Sequence, residues 1–362
     1  MITPMRRPTR RIQLGGLPIG DGAPISVQTM TKTDTRDVAA TVAQIREITA
    51  LGCDIVRLAV PDAAAAAALA EIRRQVDVPL VADIHFDHRL ALAAIHAGVD
   101  GLRINPGNIG GEEHVRAVVA AARPRQIPIR IGVNAGSLEP ALLARHGSAT
   151  PEALVESALG HVTMLESVDY CEIKISVKAS DVARTIAAYR LLAEQTAYPL
   201  HLGVTEAGTF LAGTVRSCAA MGVLLQEGIG DTIRVSLTAD PCEEVRVGLE
   251  LLRAFGLRAP GASVTSCPTC GRTQVNVAAV ALAIEMQLEG FYRAHPAALR
   301  PHIAVMGCVV NGPGEAREAD IALAGGKDLF VLYIRGQRVA TIPEAEAVAC
   351  IVEQVRQWQT RN

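Results

Sequence analysis

The sequence predicts an α/β chain: a closed (β/α)8 barrel followed by a smaller α+β domain. Three observations predict it. A unit of short apolar strand, polar or glycine-rich loop and alanine-rich helix recurs over the first two thirds of the chain. The intervals between strands leave room for one helix each, which forces parallel strands joined by right-handed crossovers. And 362 residues exceed what a single core usually reaches, about 250 to 300 residues, so a second unit is expected. With 49% hydrophobic, 3% aromatic and 20% charged residues, the composition is that of an Ala/Val/Leu-rich folded core.

Taken in order, the chain starts with a basic stretch containing Arg6-Arg7 and Arg10-Arg11, but the apolar residues of 12–19 are too few and too broken for an export signal. Eight strands then follow at 25–29, 54–58, 80–84, 101–104, 129–133, 171–176, 200–204 and 232–235. Eight such units close into a barrel of the TIM type. The alanine run 63–68 follows Pro61-Asp62 and reads as helix, being built from the strongest helix former. The widest interval, 134–170, has room for a short extra helix at 138–145 and the regular one at 151–167. A closing helix at 242–255 and a Gly/Pro linker at 256–262 end the barrel, giving domains 1–258 and 259–362. In the second domain, apolar periodicity marks helices at 273–288 and 343–357 and strands at 303–306 and 329–334.

A formal charge of −2 gives no general attraction for nucleic acid or an acidic membrane surface, so anion binding has to come from a local cluster. No apolar run is long enough for a membrane span. Eight cysteines without an export signal point to a reducing cytoplasm. Cys53, Cys171, Cys218, Cys242 and Cys350 lie in apolar or helical segments and are expected to be small core residues.

The barrel strands carry such a cluster. Arg57, Arg103, Arg130, Lys174 and Arg234 lie on five different strands, and strand C-terminal ends point at the catalytic face of a barrel. Buried unpaired, each would cost several kcal/mol. Either each is paired with a neighbouring carboxylate such as Asp54, Asp100, Glu172 or Asp231, or the set forms a ring that receives a polyanion, for which phosphate or diphosphate is the usual ligand. The turns 105–111 and 132–137 offer backbone N–H groups to the same anion. His85 and Glu206 stand just past strands three and seven, where a rim acid or base belongs.

The second domain carries three thiols and a carboxylate: Cys267-Pro-Thr-Cys270 and, after a strand-like run, Cys308-Val-Val-Asn-Gly-Pro-Gly-Glu315. One reading is structural zinc on Cys267, Cys270 and Cys308, completed by His302. The other is a [4Fe-4S] cluster on three thiolates, with an oxygen ligand at the fourth iron that a substrate oxygen can replace.

Together these segments resemble the 4-hydroxy-3-methylbut-2-enyl diphosphate synthase family of the methylerythritol phosphate route to isoprenoids. The resemblance rests on Val27-Gln-Thr-Met-Thr31, Asp83-Ile-His-Phe86, Arg103-Ile-Asn-Pro-Gly-Asn108, Gly132-Val-Asn-Ala-Gly-Ser-Leu-Glu139 and Thr205-Glu-Ala-Gly208. It rests above all on Ser266-Cys-Pro-Thr-Cys-Gly-Arg-Thr273 and Met306-Gly-Cys-Val-Val-Asn-Gly-Pro-Gly-Glu-Ala316. It implies a TIM barrel with a C-terminal iron-sulfur domain, and a [4Fe-4S] cluster on Cys267, Cys270, Cys308 and Glu315. It implies as substrate 2-C-methyl-D-erythritol 2,4-cyclodiphosphate, opened, dehydrated and reduced by single electrons from flavodoxin or ferredoxin. It maps diphosphate binding onto Arg57, His85, Arg103, Arg130, Asn134, Lys174, Ser176, Arg234 and Ser236, and proton handling onto Glu206. It also implies a homodimer of the bacterial two-domain form. Gln274 departs from the acidic residue expected at that place.

Overall fold

The computed structural model describes residues 5–105, 108–259, 261–295, 297–308, 314 and 317–359. The chain divides into two units, Met1–Arg258 and Ala259–Asn362. The first opens with a hairpin of two three-residue strands, β1 (Ile12–Leu14) and β2 (Leu17–Ile19), paired antiparallel. Eight parallel strands follow: β3 (Ser26–Met30), β4 (Ile55–Ala59), β5 (Leu80–Asp83), β6 (Gly101–Ile104), β7 (Ile129–Asn134), β8 (Ile173–Lys178), β9 (His201–Leu202) and β10 (Thr232–Ile233). They run β8-β7-β6-β5-β4-β3-β10-β9 around the sheet, and a parallel bridge from Ile175 to Leu200 closes the ring.

Helices α1 (Val38–Ala50), α2 (Ala63–Gln75), α3 (His88–His96), α4 (Glu112–Ala122), α5 (Pro140–His146), α6 (Pro151–Glu166), α7 (Val182–Gln195), α8 (Phe210–Gln226) and α9 (Pro241–Ala254) lie between or after the strands. Their starts follow from sequence: Asp37, Asp62, Asp87, Asp181 and Asp240, and Thr150, each accept a hydrogen bond from a first-turn N–H. Such a cap is worth about 1 kcal/mol. Period-two alternation sets the barrel wall. On β7, Ile129, Ile131 and Val133 join the core shared with Ile45, Leu69, Ile72 and Val118 of the helices. Arg130, Gly132 and Asn134, on the opposite face of the strand, turn to the barrel interior.

The hairpin was not foreseen, because strands this short show no measurable period. Its Ile12, Leu14 and Ile19 pack on Ile55 and Val81, which stand at the N-terminal ends of β4 and β5. A Cβ on Gly101 would lie 2.4 Å from Leu14 Cδ1, so a glycine there lets the hairpin seat against the barrel floor. The sixth barrel strand begins and ends two residues later than expected. Ile173 donates its N–H to Cys171 O in a turn, while pairing with β7 continues through Asn134 and Lys178. Cys171 is accordingly exposed, and Cys218 and Cys350 are only half-buried; of the five expected core cysteines, Cys53 and Cys242 are buried.

The second unit holds a five-stranded sheet, β11 (Ser263–Ser266), β12 (His302–Met306), β13 (Ile321–Gly326), β14 (Leu329–Ile334) and β15 (Gln337–Pro343), in sequence order. The first three strands are parallel and the rest antiparallel. Ile303, Val305, Ile321, Leu323, Phe330 and Leu332 pack against Ile284 and Leu288 of α10 (Val277–Ala294) and Ile351 and Val355 of the last helix, Ala347–Trp358. Helix α10 starts four residues later than expected. Thr273 is held in a turn by Cys270 O, and Asn276 Oδ1 caps the helix by accepting from Ala279 N. Strands β11, β13 and β15 were not expected, for β11 and β15 are mostly exposed and β13 is Ala/Gly-rich.

Candidate functional site

The barrel interior gathers cations with too few anions. Asp83, ending β5, lies 3.7 Å from Arg57 Nε, 3.2 Å from Arg103 NH1 and 3.5 Å from His85 Nε2. Burial works against its charge, but Arg57, His85 and Arg103 outweigh it and hold the carboxyl well below the usual carboxylate range. Glu244, 1% exposed, lies 3.5 Å from Arg234 and 3.4 Å from Lys32. Arg130 donates to Ser176 Oγ at 2.9 Å, and no carboxylate pairs with it among the described residues. Burial, then Arg57 and Arg103, lower its pKa strongly. The carboxylates that might have neutralised the ring are engaged elsewhere: Asp54 by Arg258, Asp100 by Arg73 and Asp231 by Arg6. The interior therefore carries an excess of positive charge.

Lys174 and Lys178 differ in depth. Lys174 Nζ donates to Thr232 Oγ1 at 3.3 Å and, with Arg130, Gln28 and Leu14, lines a water-sized cavity near the hairpin. Burial, then Arg130, bring its pKa down to about 7. Lys178 closes β8 at the catalytic end, where burial and Arg130, Arg234, Arg57 and Arg103 lower its pKa. Lys178 was missed because the strand was ended at Ser176; the alternation Lys174, Ser176, Lys178 was the signal that could have found it. His201 is fully buried, and burial with Lys178 and Arg130 beside it keeps its ring neutral.

Two glycines make room for these side chains. A Cβ on Gly132 would stand 2.6 Å from Arg103 Nε, and one on Gly203 would stand 2.6 Å from Lys178 Nζ. Both cations thus lie across neighbouring strands that present no side chain.

His85 is exposed beside Asp83, Asn134 is half-buried at the end of β7, and Ser236 is half-buried past β10. Glu206 is exposed in the loop after β9, with φ +52, a left-handed conformation that costs a non-glycine residue about 1 to 2 kcal/mol. The loop holds it there: Thr205 N donates to Ala179 O, Arg216 to Ala207 O, and Thr238 N to Gly208 O. These bonds hold Glu206 on a fixed turn at the barrel rim despite the backbone strain.

In the second unit, Cys267 follows β11 and Cys308 follows β12, the adjacent parallel strand. Cys267 N donates to Val305 O at 3.0 Å, and Gln274 N to Gly307 O at 3.3 Å, so the two thiol-bearing segments are bonded to each other. Cys267 Sγ accepts the Thr269 N–H at 3.3 Å, and Thr269 takes φ +66 to turn the chain to Cys270. Glu315 lies outside the described residues, as do 309–313 of its motif. Among the described residues, no three His, Cys, Asp or Glu side chains already form a metal-binding group. The donors are nevertheless soft thiols at one end of one sheet, one of them already accepting an amide N–H. That chemistry fits a sulfur-ligated iron centre. His302 is bonded to Thr265 Oγ1 at 2.8 Å, at the opposite end of β12 from Cys308, so it does not complete a zinc site.

Known proteins resemble the chain throughout. The family described as GcpE TIM-barrel domain matches residues 9–249, and the GcpE protein C-terminal domain matches 263–357. A protein of Geobacter sulfurreducens is 56% identical over 97% of this chain and 98% of its own. Another, of Clostridium perfringens, is 51% identical over 96% and 98%. Both are named 4-hydroxy-3-methylbut-2-en-1-yl diphosphate synthase (flavodoxin). Among solved structures, dihydropteroate synthase of Stenotrophomonas maltophilia aligns with 68% of this chain and 97% of its own at a TM-score of 0.51 and 14% identity, a likeness of barrel fold alone. Among the described residues, no helix is long and apolar enough to cross a membrane.

Proposed function

The chain belongs to the GcpE family, and from that premise we propose that it makes 4-hydroxy-3-methylbut-2-enyl diphosphate from 2-C-methyl-D-erythritol 2,4-cyclodiphosphate. The observation that carries the reading is a cation ring in excess of its carboxylates, in a chain whose second unit presents three thiols at one sheet end. The reaction takes in two electrons and two protons. The ring oxygen–carbon bond to the diphosphate breaks, a hydroxyl leaves as water and a carbon–carbon double bond forms.

In this reading Arg57, Arg103, Arg130, Lys178 and Arg234 hold the diphosphate, with His85, Asn134, Ser176 and Ser236 completing the polar wall. Lys174 supports from the floor through its charge. Such positioning contributes several kcal/mol to lowering a barrier. Glu206, on its strained rim turn, delivers the proton that lets the hydroxyl leave as water. Cys267, Cys270 and Cys308 would hold a [4Fe-4S] cluster with Glu315 as the exchangeable fourth ligand. When bound, that group supplies single electrons and a Lewis-acid iron for a substrate oxygen. The electron donor is flavodoxin, as in the relatives' names, or a ferredoxin. The working form is a homodimer, which sedimentation should show at about twice the chain mass.

The test is anaerobic turnover of the cyclic diphosphate with a one-electron donor. Purified protein should be brown and contain iron, and Glu206→Gln should keep iron and substrate binding while losing turnover. Colourless protein with stoichiometric zinc after iron supply would instead establish a zinc-stabilised, phosphate-binding barrel.

A further inference from the structure

One buried carboxylate serves the anion site without standing in it. Glu244 lies in the first turn of α9, a helix outside the barrel wall, yet it is 1% exposed. Four groups from two chain segments converge on it. Thr29 of β3 donates its hydroxyl to Glu244 Oε2 at 2.6 Å. Leu237, in the loop after β10, donates its N–H to Oε1 at 3.0 Å. Arg234 NH2, from the same loop, stands 3.5 Å from Oε2, and Lys32 Nζ, following β3, stands 3.4 Å from Oε1. Lys32 in turn donates to Leu237 O at 2.9 Å and to Ala239 O. A single carboxylate therefore ties a ring arginine, a rim lysine and the backbone between them to the inner end of β3.

We propose that Glu244 is a positioning residue for anion recognition: it fixes Arg234 and the 234–239 loop so that the guanidinium is presented to the diphosphate in one orientation. An arginine can hold a planar, two-pronged contact to phosphate only when its own rotamer is fixed. Arg234 has few other restraints: its Nε has no hydrogen-bond partner, and its side chain is 17% exposed. A buried carboxylate with two conventional donors and two cations around it is fully satisfied, so it stays in place. The inference rests on the reading of Arg234 as a diphosphate ligand.

Full-length protein purified anaerobically and titrated with inorganic pyrophosphate tests both. Arg234→Met should weaken binding at least tenfold. Glu244→Gln, which keeps an acceptor for Leu237 N–H but loses the charge, should weaken it comparably, and the double variant should bind no worse than Arg234→Met alone. With the cyclic diphosphate, Glu244→Gln should raise KM while kcat stays within about twofold, because the diphosphate contact is made equally in ground and transition states. Should Glu244→Gln fold poorly, Thr29→Val removes one of the bonds that fix the carboxylate and should raise KM in the same direction. Normal pyrophosphate binding by Glu244→Gln or Thr29→Val with a lowered Tm, or additive losses in the double variant, would make Glu244 merely structural and overturn the proposal. Unaltered binding by Arg234→Met would overturn the reading of Arg234 and this inference together.

Discussion

Lys174 and Lys178 sit on the same face of one strand and do different things, which no inspection of residue type alone could decide. Lys174 is buried with only Thr232 Oγ1 within hydrogen-bond reach among the described residues, and burial lowers its pKa to about 7. Its unfolded value is near 10.4. Between those two pH values the unfolded chain binds more protons than the folded one, so this residue makes stability rise with pH, by about 1.4 kcal/mol per pH unit. Below about pH 7 the slope from this residue vanishes, with its penalty at full size; above about pH 10 the penalty is gone. Lys174→Met should therefore be more stable than wild type at pH 7, and the difference should shrink toward pH 10. Denaturant titrations of both proteins at pH 7 and pH 9 check this; a difference that grows with pH would contradict it. The gathering of the cations was legible as residues on strand ends, since cations on five strands are rare in a buried wall. Their carboxylates were not. Asp83 and Glu244 serve the ring while Asp54, Asp100 and Asp231 are held by Arg258, Arg73 and Arg6, and such partner choice depends on loop geometry.

At the scale of elements, glycine placement on β7 and in the β9–β10 region decides how cations lie in the barrel. Gly132 is a strand residue whose missing side chain is the space that Arg103 occupies, and Arg103 NH2 also donates to Gly132 O at 3.1 Å. Gly132→Ala should push Arg103 off this path, weaken pyrophosphate binding at least tenfold and leave Lys178 in place. Calorimetric titration against Gly136→Ala, where a Cβ meets nothing within 4 Å, supplies the comparison. The eight strands and their order were readable because each pairs an apolar run with a helix of the right length. Their ends were less so: β8 reaches Lys178 because β7 continues beside it, a fact about the neighbour rather than about the strand. In the second unit, β13 is too rich in alanine and glycine to announce itself, and only its place between β12 and β14 makes it a strand.

For the molecule as a whole, the two units divide the charged and sulfur groups: one gathers buried cations, the other presents thiols. That division was legible from the cysteine spacing and the basic strand ends, since each needs a different local surrounding. The hairpin at the start of the chain was the part that no period revealed. It wedges Ile12, Leu14 and Ile19 against Ile55 and Val81 at the N-terminal strand ends, beneath the cations. A barrel floored by a hairpin turns its cations toward the C-terminal ends of the strands. If the cations hold the diphosphate, substrate and product share one site above this floor. Product added to the reaction should raise the apparent KM for the cyclic diphosphate without touching the limiting rate, and initial-rate measurements at several product concentrations would read it out. An effect on the limiting rate would mean that product also binds a form of the protein that the substrate does not.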